Sequence, residues 1–368
     1  IADCGEFGLI ARIRKLVEPA GEELPPDLPV GIGDDAAVLR PEPGWDLVVT
    51  CDAQVAGRHF LPGAMSARAI GRRAMTVNLS DIAAMGAEPR HAFLSLGLPA
   101  GMTIAFVEDL YRGFLDALAE SGGRIAGGNL TGTGPEWFID VTLIGRVERG
   151  RAQLRSGARP GDRIFCTGSP GRSAAGLAVL RAAAGAADPP AYDEEEWAIA
   201  LVDAYVRPHA RVAAGRFLAG CAGVTAMADI SDGVVGDLTR ICESSSVPAR
   251  LDASRLPLDP DLEAAAAVFG VSRADWSLGP GDDYELLFTV RPEDAEAVAA
   301  GLRAATGLQV TEIGEMTFGR AHPLVEIVGR AAGRGGPAEG GAGGEAGREP
   351  RRKADGEAEP GGWDHFRK

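Results

Sequence analysis

The sequence predicts a two-domain protein of the α/β (α+β) class, on three observations. Apolar stretches with strand and helix periodicity alternate along most of the chain, the pattern of helices packed on sheets. The 368 residues suffice for two or three domains at about 150 residues each. A turn cluster from Arg155 to Asp162, holding Gly157, Pro160 and Gly161, interrupts the pattern near its middle and is taken as the domain boundary.

In the first half, Phe7, Leu9, Ile10, Ile13, Leu16 and Val17 recur at helical spacing over residues 7–18. A Pro/Gly-rich stretch leads to Val30–Leu39 around Gly31-Ile32-Gly33-Asp34-Asp35. Leu47 to Thr50 reads as a short strand ending at Cys51-Asp52, and residues 66–85 as one helix capped by Ser66. His91–Leu98 alternates as a strand, and residues 103–120 form an amphipathic helix. Ile125–Asn129 resembles a strand end and turn, and Phe138–Val147 a strand.

In the second half, a strand at Arg163–Thr167 enters the glycine turn Thr167-Gly168-Ser169-Pro170-Gly171-Arg172-Ser173, which opens a helix. That turn suits either an anion or close helix–strand packing. One further helix is expected over 194–219. Val224–Met227 is a strand feeding Asp229-Ile230-Ser231-Asp232, and the next helix carries Val235, Leu238, Ile241 and Cys242 on one face. Late strands fall at Leu286–Val290 and Val310–Ile313. The expected units are therefore residues 1–150 and 151–330. A flexible linker follows at 331–361, then a docked aromatic terminus at 362–368. Residues 331–360 lack any large apolar side chain and cannot offset their ordering entropy.

Composition excludes several functions. The formal charge is −15, from 52 acidic against 37 basic residues, which argues against nucleic acid and against an anionic membrane surface as partners. Only three of those basic residues are lysines, Lys15, Lys353 and Lys368. A P-loop needs a Gly-Lys pair and a protein kinase a strand lysine, so neither design is present. Cys4, Cys51, Cys166, Cys221 and Cys242 are odd in number and form no C-x-x-C pair. They are expected to be reduced thiols of a cytoplasmic protein. No apolar run reaches a membrane span, and the acidic N-terminus is unlike a signal peptide.

Aspartates recur where apolar elements end: Asp34-Asp35, Asp52, Asp81, Asp229, Asp232 and Asp282-Asp283. A carboxylate at a strand end projects into the crevice where α/β proteins bind ligands. Each alone is as readily turn chemistry or, for Ser231 and Asp232, a helix N-cap. Together they form a set of hard oxygen ligands, which favours Mg²⁺ or Ca²⁺. Magnesium commonly bridges such carboxylates to substrate phosphates.

These motifs in this order resemble the thiamine-monophosphate kinases, within the superfamily of aminoimidazole ribonucleotide synthetase and selenophosphate synthetase. The resemblance runs from Gly5-Glu6-Phe7 to about Gly319 and resumes at Gly362–Phe366. It rests on Gly31–Ala36, Val55–Phe60, Val77–Gly86, Arg155–Asp162, Asp229–Gly233 and Asp283–Leu286. It implies a PurM-like architecture, with an N-terminal domain that dimerises through its sheet and a nucleotide cleft near the dimer interface. It also implies ATP-dependent phosphorylation of thiamine monophosphate to thiamine diphosphate with several Mg²⁺ ions.

Carried over by motif, Asp34, Asp35, Thr50, Cys51, Asp52, Asp81, Asn129, Asp229 and Asp232 hold magnesium. Tyr111, Gly128, Asn129, Arg155 and Ser231 contact ATP. His59, Asp282 and Trp363 contact the thiamine phosphate. The chain departs from the usual pattern at Cys51, where a hydroxyl is common, at Asn129, where Asp is common, and at Asp282, one methylene shorter than the usual Glu.

The expected reaction is direct in-line transfer without a general base, because a phosphate monoester is already ionised near neutral pH. Positioning and charge neutralisation then carry it, with arginines such as Arg155 as the protein's own cations. The alternatives are another ATP-using enzyme of the superfamily, or a non-catalytic Mg-nucleotide binding protein.

Overall fold

The computed structural model describes residues 5–18, 24–30, 32, 37–185, 195–319 and 324–329. Asp34, Asp35, Trp363, the 331–361 segment and the aromatic terminus lie outside these residues. The first half begins with α1 (Gly5–Val17), β1 (Trp45–Val55), α2 (Ala67–Ala84) and β2 (Glu88–Pro99). It continues through α3 (Ile104–Ser121), β3 (Arg124–Thr133) and β4 (Phe138–Glu148). Its four strands form one sheet in the order β1-β4-β2-β3, with β2 and β3 parallel and the other pairs antiparallel.

The second half holds β5 (Arg163–Thr167), α4 (Arg172–Gly185), α5 (Glu196–Val206), α6 (Val212–Gly220), β6 (Val224–Ile230) and α7 (Val234–Ser245). It continues with β7 (Ala249–Asp252), α8 (Pro260–Phe269), α9 (Arg273–Leu278), β8 (Glu285–Val290), α10 (Ala295–Thr306), β9 (Val310–Met316) and β10 (Val325–Val328). Its six strands run β10-β7-β9-β5-β8-β6, antiparallel except for the β10–β7 pair.

The helix α2 joins the two halves. Ser66 caps it by accepting the Ala69 N–H, as its position before the apolar run predicts. Nearly every residue of α2 is buried, including Arg72, Arg73, Thr76, Asn78 and Ser80. A helix with polar residues on a fully buried surface must satisfy them across its contacts. Those contacts are with the first sheet, α3, α6 and β6. Two glycines permit the approach. A Cβ on Gly71 would lie 2.0 Å from the Leu110 carbonyl oxygen of α3, and one on Gly215 of α6 would lie 2.0 Å from that of Ala83.

Four local expectations change. First, β1 continues to Val55, so Thr50, Cys51 and Asp52 lie inside a strand and alternate between its faces. Second, β3 runs ten residues, because its weak apolar pattern is compensated by pairing along β2. Third, the single helix over 194–219 is two helices, since Pro208 cannot continue α5 and disfavours helix at Arg207. Fourth, the glycine turn before α4 is already occupied. The Asp283 carboxylate accepts the Gly171 N–H at 2.7 Å and the Ser173 N–H at 3.0 Å. Asp283 therefore caps α4 and is not one of the converging carboxylates.

Candidate active site

Burial alternates along β1, and the even residues face α2. The Thr50 hydroxyl donates to Asp81 Oδ2 on α2, and the Asp52 N–H donates to Asn78 Oδ1 at 3.2 Å. Strand β6 approaches the same end of α2 from the second half. There the Ser80 hydroxyl donates to Asp229 Oδ2 at 2.7 Å. Three carboxylates from three elements thus meet at the junction of the two halves. A cleft of about 710 Å³ runs along the edge strand β1 beside them, lined by Thr50, Asp81, Arg155, Ser156 and Asp229 among others.

The electrostatics are those of crowded anions. Burial pushes the Asp52 carboxyl up to about 6, and the neighbouring Asp81 charge adds to it. The contact between the Asp52 and Asp81 side chains raises the first carboxyl and lowers the second. Asp81 is raised by burial, against the Thr50 hydroxyl and the Arg155 guanidinium, which favour its ionised form. Asp229 is pushed up to about 8 by burial first, then by Asp81 and Asp237. Ser80 and Arg155 oppose that shift.

Other expected residues fall elsewhere. Asp232 follows β6, and its carboxylate pairs with Arg240 on α7. Neither Ser231 nor Asp232 caps α7, whose N-cap is Gly233. Instead Asp237 reaches back and accepts both of their backbone N–H groups at 3.0 Å. Cys51 points to the opposite face of β1 from Asp52, with its thiol 3.3 Å from Asp140 Oδ1. Gly128 and Asn129 lie on β3, separated from β1 by β4 and β2, a distance of ~14 Å at normal strand spacing. Tyr111 is buried in the core of the first half, edge-on to Phe114. The structure does not bring it to the cleft.

Asp282, in the loop between α9 and β8, pairs with Arg73 of α2 at 2.6 Å. Its loop still borders the carboxylates, because the buried Tyr284 beside it feels the charges of Asp282, Asp229 and Asp52. The His59 ring accepts the Val55 N–H through Nδ1 at 2.9 Å, which fixes the turn after β1. Strand β1 runs antiparallel to α2, since Thr50 meets Asp81 and Asp52 meets Asn78. That turn therefore leads toward the Arg73 end of the helix.

Sequence reasoning missed Asn78, Ser80, Arg73 and Asp237. A signal existed for the first two. Both stand in the same stretch of α2 as Asp81, where buried polar residues need a partner.

The donor chemistry fits a hard divalent cation. Two carboxylates crowded by the Asp81 charge, Asp81 itself and a hydroxyl beside them are oxygen ligands of the magnesium type. Among the described residues, no three acidic, His or Cys side chains close around one point.

Comparison with known proteins follows the same division. The model of the AIR synthase related protein N-terminal domain matches residues 33–147, and that of the C-terminal domain matches 159–324. The thiamine-monophosphate kinase of Escherichia coli (strain K12) is 38% identical over 314 residues, covering 85% of this chain and 91% of that protein. The chain belongs to the thiamine-monophosphate kinase family.

The family assigns it to the kinases, and its two-domain PurM-like fold agrees. The crystal structure of the thiamine-monophosphate kinase from Stenotrophomonas maltophilia K279a is 34% identical with a TM-score of 0.75. It covers 89% of this chain and 98% of its own. AaThiL complexed with AMPPCP and TMP is 31% identical with a TM-score of 0.68, covering 90% and 96%. Among the described residues, no helix is long and apolar enough to cross a membrane.

Proposed function

We propose that this chain transfers a phosphoryl group from ATP to the phosphate of thiamine monophosphate, giving thiamine diphosphate. The single observation carrying this reading is the carboxylate junction of Asp52, Asp81 and Asp229 beside the cleft. Its support is a relative of the same fold that binds AMPPCP, an ATP analogue, together with TMP. Asp52, Asp81 and Asp229 would hold Mg²⁺ with Thr50, and by family motif Asp34, Asp35 and Asp232 would complete the set. Bound there, the metal supplies positive charge to the phosphates.

The chain's own residues bind and orient. Arg155 acts on Asp81 and Asp229 and lines the cleft, so it is the protein cation offered to incoming phosphate oxygens. Ser80 and Asn78 fix Asp229 and the β1 backbone. Asp237 fixes the backbone of Ser231 and Asp232, and so the side chains offered to the nucleotide. No proton must be removed from an acceptor phosphate with a second pKa near 6. In-line transfer therefore needs positioning and charge neutralisation only.

A homodimer through the first sheet belongs to the same proposal. The β1 face turned away from α2 exposes Leu47 and Val49 at 52% and 60%, an apolar surface of the kind that interfaces cover. Gly128 and Asn129, remote from the cluster in one copy, would reach a nucleotide only near such an interface. A cytoplasmic location is supported by the free thiols at Cys51, Cys166, Cys221 and Cys242.

The test is ADP release coupled to thiamine monophosphate, with thiamine as control. Turnover that depends on thiamine monophosphate and Mg²⁺ is expected. Phosphorylation of thiamine alone would refute the acceptor, and nucleotide binding without any turnover would leave a binding module.

A further inference from the structure

Arg73 is the largest fully buried side chain of the described residues, at 1% exposure. Its guanidinium spans the two halves of the molecule. One terminal nitrogen donates to the Tyr205 carbonyl of α5 at 2.7 Å, and the other to Asp282 Oδ2 at 2.6 Å. The group lies over the Tyr205 ring at 4.4 Å and near that of Tyr284 at 5.7 Å. Its Nε has no partner among the described residues.

A buried charge with an unsatisfied donor is an expensive way to fill a core, since apolar residues of similar volume commonly do as well. Its partner, moreover, is not a core residue. The Asp282 side chain is 43% exposed, so the ion pair is sealed on the Arg73 side and open on the other.

The loop bearing Asp282 is held at its other positions as well. Asp283 is fixed on the N-terminus of α4. The Tyr284 N–H donates to the Ile230 carbonyl at 2.8 Å, at the end of the strand bearing Asp229. Tyr284 has a φ of +54°, a left-handed conformation that a bulky residue adopts only where its surroundings impose it. A segment fixed at three consecutive residues, one of them strained, presents one side chain in one place.

We propose that Arg73 is a positioning residue for the phosphoryl acceptor, acting through Asp282. It pins one carboxylate oxygen and aims the exposed carboxylate at the positively charged thiazolium ring of thiamine monophosphate. It also ties that contact to the packing of α2 against the second half, so acceptor recognition depends on how the halves meet. This rests on the substrate reading above.

The experiment is steady-state kinetics of Arg73→Met, Arg73→Lys, Asp282→Asn and the Arg73→Lys/Asp282→Asn double variant, each with a melting curve. Loss of a charge-assisted hydrogen bond on a substrate-contacting carboxylate should raise the KM for thiamine monophosphate about tenfold or more. The KM for ATP should stay within about twofold. Lysine should restore part of the loss, because it keeps the charge but not the fork. The double variant should be no worse than the poorer single variant, because the two act as one unit.

A role confined to folding would instead lower the melting temperature and kcat with both KM values unmoved, which would overturn the proposal. So would additive effects in the double variant. Arg73→Lys keeps the test readable if Arg73→Met does not fold. Wild-type protein that fails to turn over thiamine monophosphate would refute the substrate reading and this inference together. An active wild type with an unmoved acceptor KM in the variants would refute this inference alone.

Discussion

Replacing Asp52 by Asn should make the metal-free protein more stable while disabling it. Asp52 is raised from an ordinary value of 3.8 to about 6, and each unit is worth about 1.4 kcal/mol. A raised carboxylate stabilises the fold fully below its unfolded pKa, and that contribution is lost as pH rises through the folded value. Ionising Asp52 in the fold therefore costs about 3 kcal/mol near pH 8 before screening. Its partial exposure reduces this to about 1–2 kcal/mol.

The amide of the Asp52→Asn variant carries no charge and can donate to Asp81, so the variant should melt roughly 2–3 °C above wild type at pH 8 in EDTA. At pH 5 about half of the linkage has developed, and the gain should shrink accordingly. Added Mg²⁺ should raise the wild-type melting temperature through binding linkage, and raise that of the variant less. A gain of the same size at pH 5 and pH 8 would refute the electrostatic account. A variant that melts lower than wild type at pH 8 would refute the crowding of anions itself.

Asp81→Asn should abolish ADP release with circular dichroism unchanged, and near-normal turnover would remove Asp81 from the metal set. Ser80→Ala removes a hydroxyl that favours ionised Asp229, so Asp229 should titrate above about 8. The Mg²⁺ concentration giving half-maximal rate should then rise most at pH 7, read from Mg²⁺ titrations across pH. Gly215→Ala would place a methyl 2.0 Å from the Ala83 carbonyl oxygen. Its urea midpoint should fall by about 1–3 kcal/mol equivalent, through loss of α2–α6 packing. Val49→Asp puts a charge on the exposed apolar sheet face; if that face forms the proposed dimer, light scattering should find the wild type dimeric and the variant monomeric.

Asp52, Asp81 and Asp229 were legible in the sequence as aspartates recurring where apolar elements end, whereas Thr50 and Arg155 came only from the family motifs. Asp282 was legible on the same grounds, but its link to Arg73 was not. The two are 209 positions apart, and nothing local in a helical arginine distinguishes a buried ion pair from a solvated one. Asp283 misled for the opposite reason. It stands in the same glycine-rich run as Asp282, yet its carboxylate turns to the N-terminus of α4, and only the approach of the two segments reveals that.

By itself, the sequence determined the alternation of strands and helices, the exclusion of lysine-based phosphate sites, and the aspartates offered to a cation. Those follow from side-chain period and chemistry, which are local properties. The tertiary structure alone decided which carboxylates share one junction, which one caps a helix, and which face of β1 each residue takes. A strand turns successive side chains to opposite faces, so Cys51 and Asp52, neighbours in sequence, go to opposite surfaces of the sheet. Convergence of charge depends on packing between distant elements. Here it depends on one buried helix, α2, against which both halves of the chain are folded.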